Sequence, residues 1–124
     1  MNTLQFIIVD PSGKVHLKMM NKYITGIEKL AQEIIYRLIN TEVINESLQY
    51  NINAEEELKL LFTNVLKVIE QAIKNEQERD LELPDSERLH SLQLVSIKTY
   101  ETQAIVQINV ISEAGKAKTF SLTL

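Results

Sequence analysis

The pattern in the last third of the chain restricts the fold more than any other feature. Ala104, Val106, Ile108 and Val110 alternate with Ile105, Gln107, Asn109 and Ile111. Phe120, Leu122 and Leu124 alternate in the same way with Thr119, Ser121 and Thr123. A period of two puts one set on a packed face and the other on a wet one, as in an antiparallel sheet covered on one side. Glu113-Ala114-Gly115-Lys116 between the two runs is turn chemistry. Leu92, Leu94, Val95 and Ile97 supply a further strand ahead of them. The hairpin runs to the final residue, so residues 117–124 are expected to form an edge strand whose backbone groups can pair with another chain. Removing those residues is expected to leave the rest of the domain folded.

Two helices precede the sheet. Ile24, Ile27, Leu30, Ala31, Ile34, Ile35 and Leu38 recur at helical spacing. Thr25-Gly26-Ile27-Glu28 has the spacing of a capping box ahead of them, and the helix is expected to end near Asn40. Residues 45–53 read as a loop. A second helix is expected with Asn53 as its cap and Glu56 three residues on. Its apolar positions, Leu58, Leu61, Phe62, Val65, Leu66, Val68, Ile69, Ala72 and Ile73, form a stripe wider than one packed surface needs. That width suits contact with both the sheet and the first helix, or with a foreign chain. Residues 75–88 are densely charged and read as a helix end followed by an exposed loop, with Pro84 barring continuation of the helix. At the other end, Leu4 to Val9 and Val15 to Met20 flank an Asp10-Pro11-Ser12-Gly13 turn. The chain therefore reads as α+β: two helices packed on a small antiparallel C-terminal sheet (residues 23–124), with an N-terminal extended arm or hairpin (residues 1–22).

Composition narrows the function. The 124 residues carry a net charge of −4 and no clustered basic stripe, which disfavours nucleic acid as a partner. There is no cysteine, so neither a disulfide framework nor a thiolate metal site can form. No window is long and apolar enough for a membrane span, and residues 1–5 lack the charged start of a signal peptide. No membrane contact is expected. His16 and His90 are the two histidines, and neither has metal-ligand spacing on a helix. No Gly-x-Ser-x-Gly elbow exists, and three glycines make no phosphate cradle. Neither cofactor nor metal is expected.

The acidic run offers the one enzymatic alternative, hydrolysis of a glycosidic bond. Such chemistry needs two carboxyls flanking the bond, one of them kept protonated. Glu76, Glu78, Asp80, Glu82, Asp85 and Glu87 are candidates, but Arg79 and Arg88 are interspersed among them. That composition suits solvated, ionised groups, or a partner-binding face, and a non-enzymatic chain is expected.

The order of elements, with Gly26, Leu30 and Gln32 at the first helix, resembles the gpW-like baseplate wedge and sheath-initiator family of contractile phage tails, a family once labelled lysozyme-like, which makes the enzymatic alternative a small muramidase-like peptidoglycan hydrolase using the acidic-loop carboxylates. The family's Glu-Pro-Arg signature falls before the first strand of the sheet. Here that place reads Ser86-Glu87-Arg88-Leu89, with Arg88 at the Arg position and Leu89 at the apolar position after it. Ser86 and Glu87 stand where the family has Glu and Pro. The resemblance implies a structural virion or tail-like-particle baseplate protein, assembled in the bacterial cytoplasm and present in six copies around the tail tube. It also implies two contacts. Ser86, Glu87, Arg88 and Leu89 would bind other wedge proteins. Lys118, Phe120, Leu122 and Leu124 would pair with the sheath protein and template its first ring. A free-standing adaptor with other partners is a third reading.

Overall fold

Three strands at the end of the chain form the sheet that the alternation predicts. The structure, a computed structural model, describes residues 3–40, 55–100 and 103–123. β5 (Leu89–Tyr100), β6 (Gln103–Ser112) and β7 (Ala117–Thr123) pair antiparallel in that order, with β6 in the middle. Ile108 lies opposite both Leu94 and Phe120. Ala104, Val106, Ile108 and Val110 are fully buried. Gly115 turns the β6–β7 connection at a φ of 78°, a conformation open to glycine.

α1 (Gly26–Ile39) and α2 (Glu55–Gln77) cover the buried face. Leu30, Ile34, Ile35 and Leu38 from α1 join Leu58, Phe62, Leu66 and Ile73 from α2 in one core with Ile97, Val106, Ile108, Phe120 and Leu122. The fold is thus α+β, as expected. α2 also lies along the outer edge of β5. Glu70 Oε1 accepts the Leu92 amide at 2.7 Å, and Gln77 Oε1 accepts the Leu89 amide at 2.8 Å. Glu70 and Gln77 are two helical turns apart, so one face of the helix caps an otherwise unpaired strand edge.

The N-terminal segment is a hairpin docked on this core. β1 (Thr3–Leu4) pairs with β4 (Tyr23–Ile24), and β2 (Ile7–Val9) pairs with β3 (Val15–Leu17). Ile7 is 4% exposed and belongs to the core cluster. Gln32 of α1, also 4% exposed, holds the segment in place. Its Oε1 accepts the Phe6 and Ile7 amides at 3.0 and 3.1 Å, and its Nε2 donates to the Leu4 carbonyl at 3.1 Å.

Four local expectations change. The capping box does not form: Thr25 is extended and its side chain makes no cap hydrogen bond. Ile24 is buried in β4 rather than on the helix. Val68 of the α2 stripe is 70% exposed. β5 begins earlier and ends later than Leu92 to Ile97, with irregularities between Leu89 and Ser91 and between Leu94 and Ser96. The proposed loop at 45–53, the Asn53 cap and Leu124 lie outside the described residues.

Candidate functional site

Ser86, Glu87, Arg88 and Leu89, the residues read as a wedge contact, sit together at an internal junction. A 3-10 turn (Asp85–Glu87) leads directly into β5 here. Glu87 turns toward α1: its Oε2 accepts the Gly26 amide at 3.4 Å, and its Oε1 meets Lys29 Nζ at 2.7 Å. A carboxylate is favourable at a helix N-terminus, where free amides and the positive dipole end converge. Ser86 lies beside the same turn, its Cβ 4.0 Å from where a Gly26 side chain would begin.

Arg88 turns the other way, toward the end of α2. Its Nε donates to the Leu83 carbonyl at 3.1 Å and its Nη1 to the Gln77 carbonyl at 2.8 Å, while Nη2 reaches the Asp80 carbonyl. A guanidinium has five donors in a fixed fork, so one side chain can satisfy several carbonyls left over at a helix C-terminus. Leu89 is 2% exposed and packs in the core. The backbone of the junction is also shared. The Glu87 carbonyl accepts from Gln77 Nε2 at 3.0 Å, and the Arg88 carbonyl accepts the Glu113 amide at 2.9 Å. Glu87, Arg88 and Leu89 therefore point into their own chain.

The second predicted surface, on β7, is in part inward and in part covered. Phe120 and Leu122 are core residues, and Phe120 is fully buried. The expectation that the domain stays folded without residues 117–124 is therefore corrected: their loss strips a core strand. Lys118 is half-buried at the near end of the strand. The outer edge of β7 carries the amides of Ala117, Thr119, Ser121 and Thr123, because alternate residues of an antiparallel strand face away from the partner. The Ser121 amide donates to the Gly13 carbonyl at 2.7 Å, and Lys14 and Ser121 form a parallel bridge. The β2–β3 hairpin thus clamps β7 beside Ser121. The Thr119 and Thr123 amides lie on the same outer edge.

That turn is stiffened by Asp10. Its Oδ1 accepts the Ser12 hydroxyl at 2.6 Å and the amides of Ser12 and Lys14 at 2.9 and 3.0 Å. Its Oδ2 lies 2.9 Å from His16 Nε2. The Ser12 hydroxyl first, and His16 next, hold the Asp10 carboxyl well below the usual carboxylate range. Neither the hydroxyl at 12 nor the imidazole at 16 stood out as functional in the sequence, although an Asp ahead of Pro-Ser-Gly is a signal for such a turn.

The carboxylates weighed for hydrolysis are dispersed or paired. Glu76, Asp80 and Glu87 line one small cavity of about 190 Å³ with Glu33 and Lys29. Glu76 is paired with Arg37, which also reaches Glu33 at 3.4 Å, and Glu87 is paired with Lys29. His90 is 3.4 Å from Glu113, far in sequence from His16. Among the described residues no group of three His, Asp or Glu could hold a metal, and no helix is long and apolar enough to cross a membrane. No known protein family model, no curated protein and no solved structure matches this chain.

Proposed function

We propose that this chain is a non-catalytic assembly component of the baseplate of a contractile injection particle, a phage tail or a tail-like particle. In this reading it joins wedge proteins to the tail tube and starts the sheath by strand pairing. The observation that carries the reading is the outer edge of β7, with amides at Thr119 and Thr123 turned away from β6 on either side of Ser121, whose amide the Gly13 carbonyl takes. An unprotected edge is a template for another strand. The residues behind the family resemblance also have defined work here. Gly26 receives Glu87, Leu30 is buried, and Gln32 fastens the N-terminal hairpin. Wedge proteins meet the outward side of the junction at Asp85 and Ser86, which Glu87, Arg88 and Leu89 hold in position from within.

Thr119→Pro with Thr123→Pro tests the reading without removing a core strand. Both amides face outward, so proline deletes the donors offered to a partner and leaves the ladder to β6 intact. Tagged full-length chain should recover sheath and wedge proteins from producing cells, and the double variant should recover wedge proteins alone. Recovery of neither class by the full-length chain would refute the proposal. Clearing of peptidoglycan by the pure protein, abolished by Glu76→Gln, would replace it with the hydrolase.

A further inference from the structure

We propose that the tip of the β2–β3 hairpin, residues 10–14, is an autoinhibitory cover on the outer edge of β7, and that an incoming strand takes its place. The inference rests on the baseplate reading and adds a control to the same edge. A strand added to β7 needs the outward backbone groups of Thr119, Ser121 and Thr123 in one unbroken row. The middle of that row is already taken. The Ser121 amide donates to the Gly13 carbonyl at 2.7 Å, and Lys14 stands opposite Ser121 in a parallel bridge. Gly13 also lies against the neighbouring outward residue, since a side chain on it would begin 3.8 Å from the Thr119 carbonyl oxygen. The tip and a partner strand cannot both occupy that stretch.

The tip is built to lift as a unit. The Asp10 amide donates to the Lys14 carbonyl and the Gly13 amide to the Asp10 carbonyl, both at 2.9 Å, while Asp10 Oδ1 accepts the Ser12 and Lys14 amides. These bonds are internal to the turn and survive its departure from β7. A cleft of about 560 Å³, lined by Asp10, Pro11, Gly13, Ala117, Lys118 and Thr119, lies between the tip and the start of β7, so the tip is not packed along the strand there. The base of the hairpin is fixed by contrast. Ile7 is in the core, Gln32 holds the Phe6 and Ile7 amides, and Val9 and Val15 pack partly on the core where the tip begins. A bend at that point frees the edge without unfolding the domain. A bare strand edge invites pairing with any other edge, and a displaceable cover restricts pairing to a strand that binds better than the tip.

A reversible lock tests the cover. Residues bridged on neighbouring strands lie about 5 Å apart, within disulfide range, and the chain has no cysteine of its own. Lys14→Cys with Ser121→Cys should pin the tip when oxidised and release it when reduced. The reduced protein should recover sheath and wedge proteins from producing cells, and the oxidised protein should recover wedge proteins alone. Oxidised protein that recovers sheath as well as the reduced form would overturn the cover and leave the baseplate reading standing. Parent chain that recovers neither class would refute the baseplate reading, and amide exchange, which needs no partner, then decides the cover. In the parent the Ser121 amide should exchange at least ~tenfold faster, relative to its intrinsic rate, than the Phe120 amide that faces β6, and the oxidised lock should abolish the difference. Asp10→Ala, which loosens the tip, should quicken Ser121 exchange about two- to tenfold, the net contribution of one hydrogen bond. A Ser121 amide that exchanges only together with Phe120, or that Asp10→Ala leaves unchanged, would overturn the proposal.

Discussion

Gln32→Leu removes a buried polar anchor while nearly keeping its volume, and its cost can be worked from the three groups it strands. The Ile7 amide is buried with its residue, so losing its acceptor carries the full desolvation penalty, about 1–3 kcal/mol. The Phe6 amide and the Leu4 carbonyl are part-buried. Water can recover some of their bonding, so each costs about 0.5–1 kcal/mol. The sum is about 2–5 kcal/mol, a large fraction of the stability of a domain this size. Urea unfolding should show the midpoint falling with the slope unchanged. Amide exchange should localise the loss, with Ile7 and Phe6 deprotected before β6, since the side chain holds a hairpin onto a core that is otherwise complete. A Gln32→Leu variant within about 0.5 kcal/mol of its parent would show that the hairpin is held by Ile7 packing alone and that the three hydrogen bonds contribute little.

Arg88→Ala should cost about 2–3 kcal/mol in urea unfolding by stranding the carbonyls of Gln77, Asp80 and Leu83, and Arg88→Lys should recover only part because an ammonium cannot fork across three acceptors. Unchanged stability with lost partner binding would make Arg88 a direct contact instead. Asp10, whose carboxyl titrates below its unfolded value near 3.9, stabilises the β2–β3 turn fully above that value and loses the contribution as pH falls further. Amide exchange at Ser12 and Lys14 should therefore quicken below about pH 4 relative to the intrinsic rate, and Asp10→Asn should remove that acid dependence. Phe62→Ala should cost about 3–5 kcal/mol by chemical denaturation, because the ring is fully buried between helix and sheet.

The parts of this fold that were legible in the sequence are those whose cause is local. Alternation from Ala104 to Ile111 fixes which face of β6 is packed, and the 3.6 period from Ile27 to Leu38 fixes the buried side of α1. What escaped was decided by residues distant in sequence. Thr25 and Glu28 have the spacing of a reciprocal cap, yet the α1 amide at Gly26 is met by Glu87, 61 residues away. The α2 stripe likewise includes Val68, because periodicity reports that a face is apolar and not what covers it. For the residues expected to make contacts, the direction of the side chains was not legible. Leu89, Phe120 and Leu122 are apolar residues in strands, where a one-residue change of phase exchanges partner-facing for core-facing positions.

The junction explains why an acid and a base stand next to each other at 87 and 88. α1 begins and α2 ends at the same place, so a positive and a negative dipole pole lie on either side of one short segment. Entering a strand, consecutive side chains point in opposite directions. Glu87 then falls against the amide of Gly26 at the N-terminus of α1, and Arg88 against the carbonyls that close α2. The order of the two residues is set by which helix lies on which side, and the reverse order would place each charge against its like pole. The same segment accepts the Glu113 amide from the β6–β7 turn, so both helix termini and the origin of β7 share one anchor. A partner bound at Asp85 and Ser86 would press on the support from which the terminal strand starts, which gives the wedge-facing and sheath-facing sides of the proposed baseplate component a short physical connection.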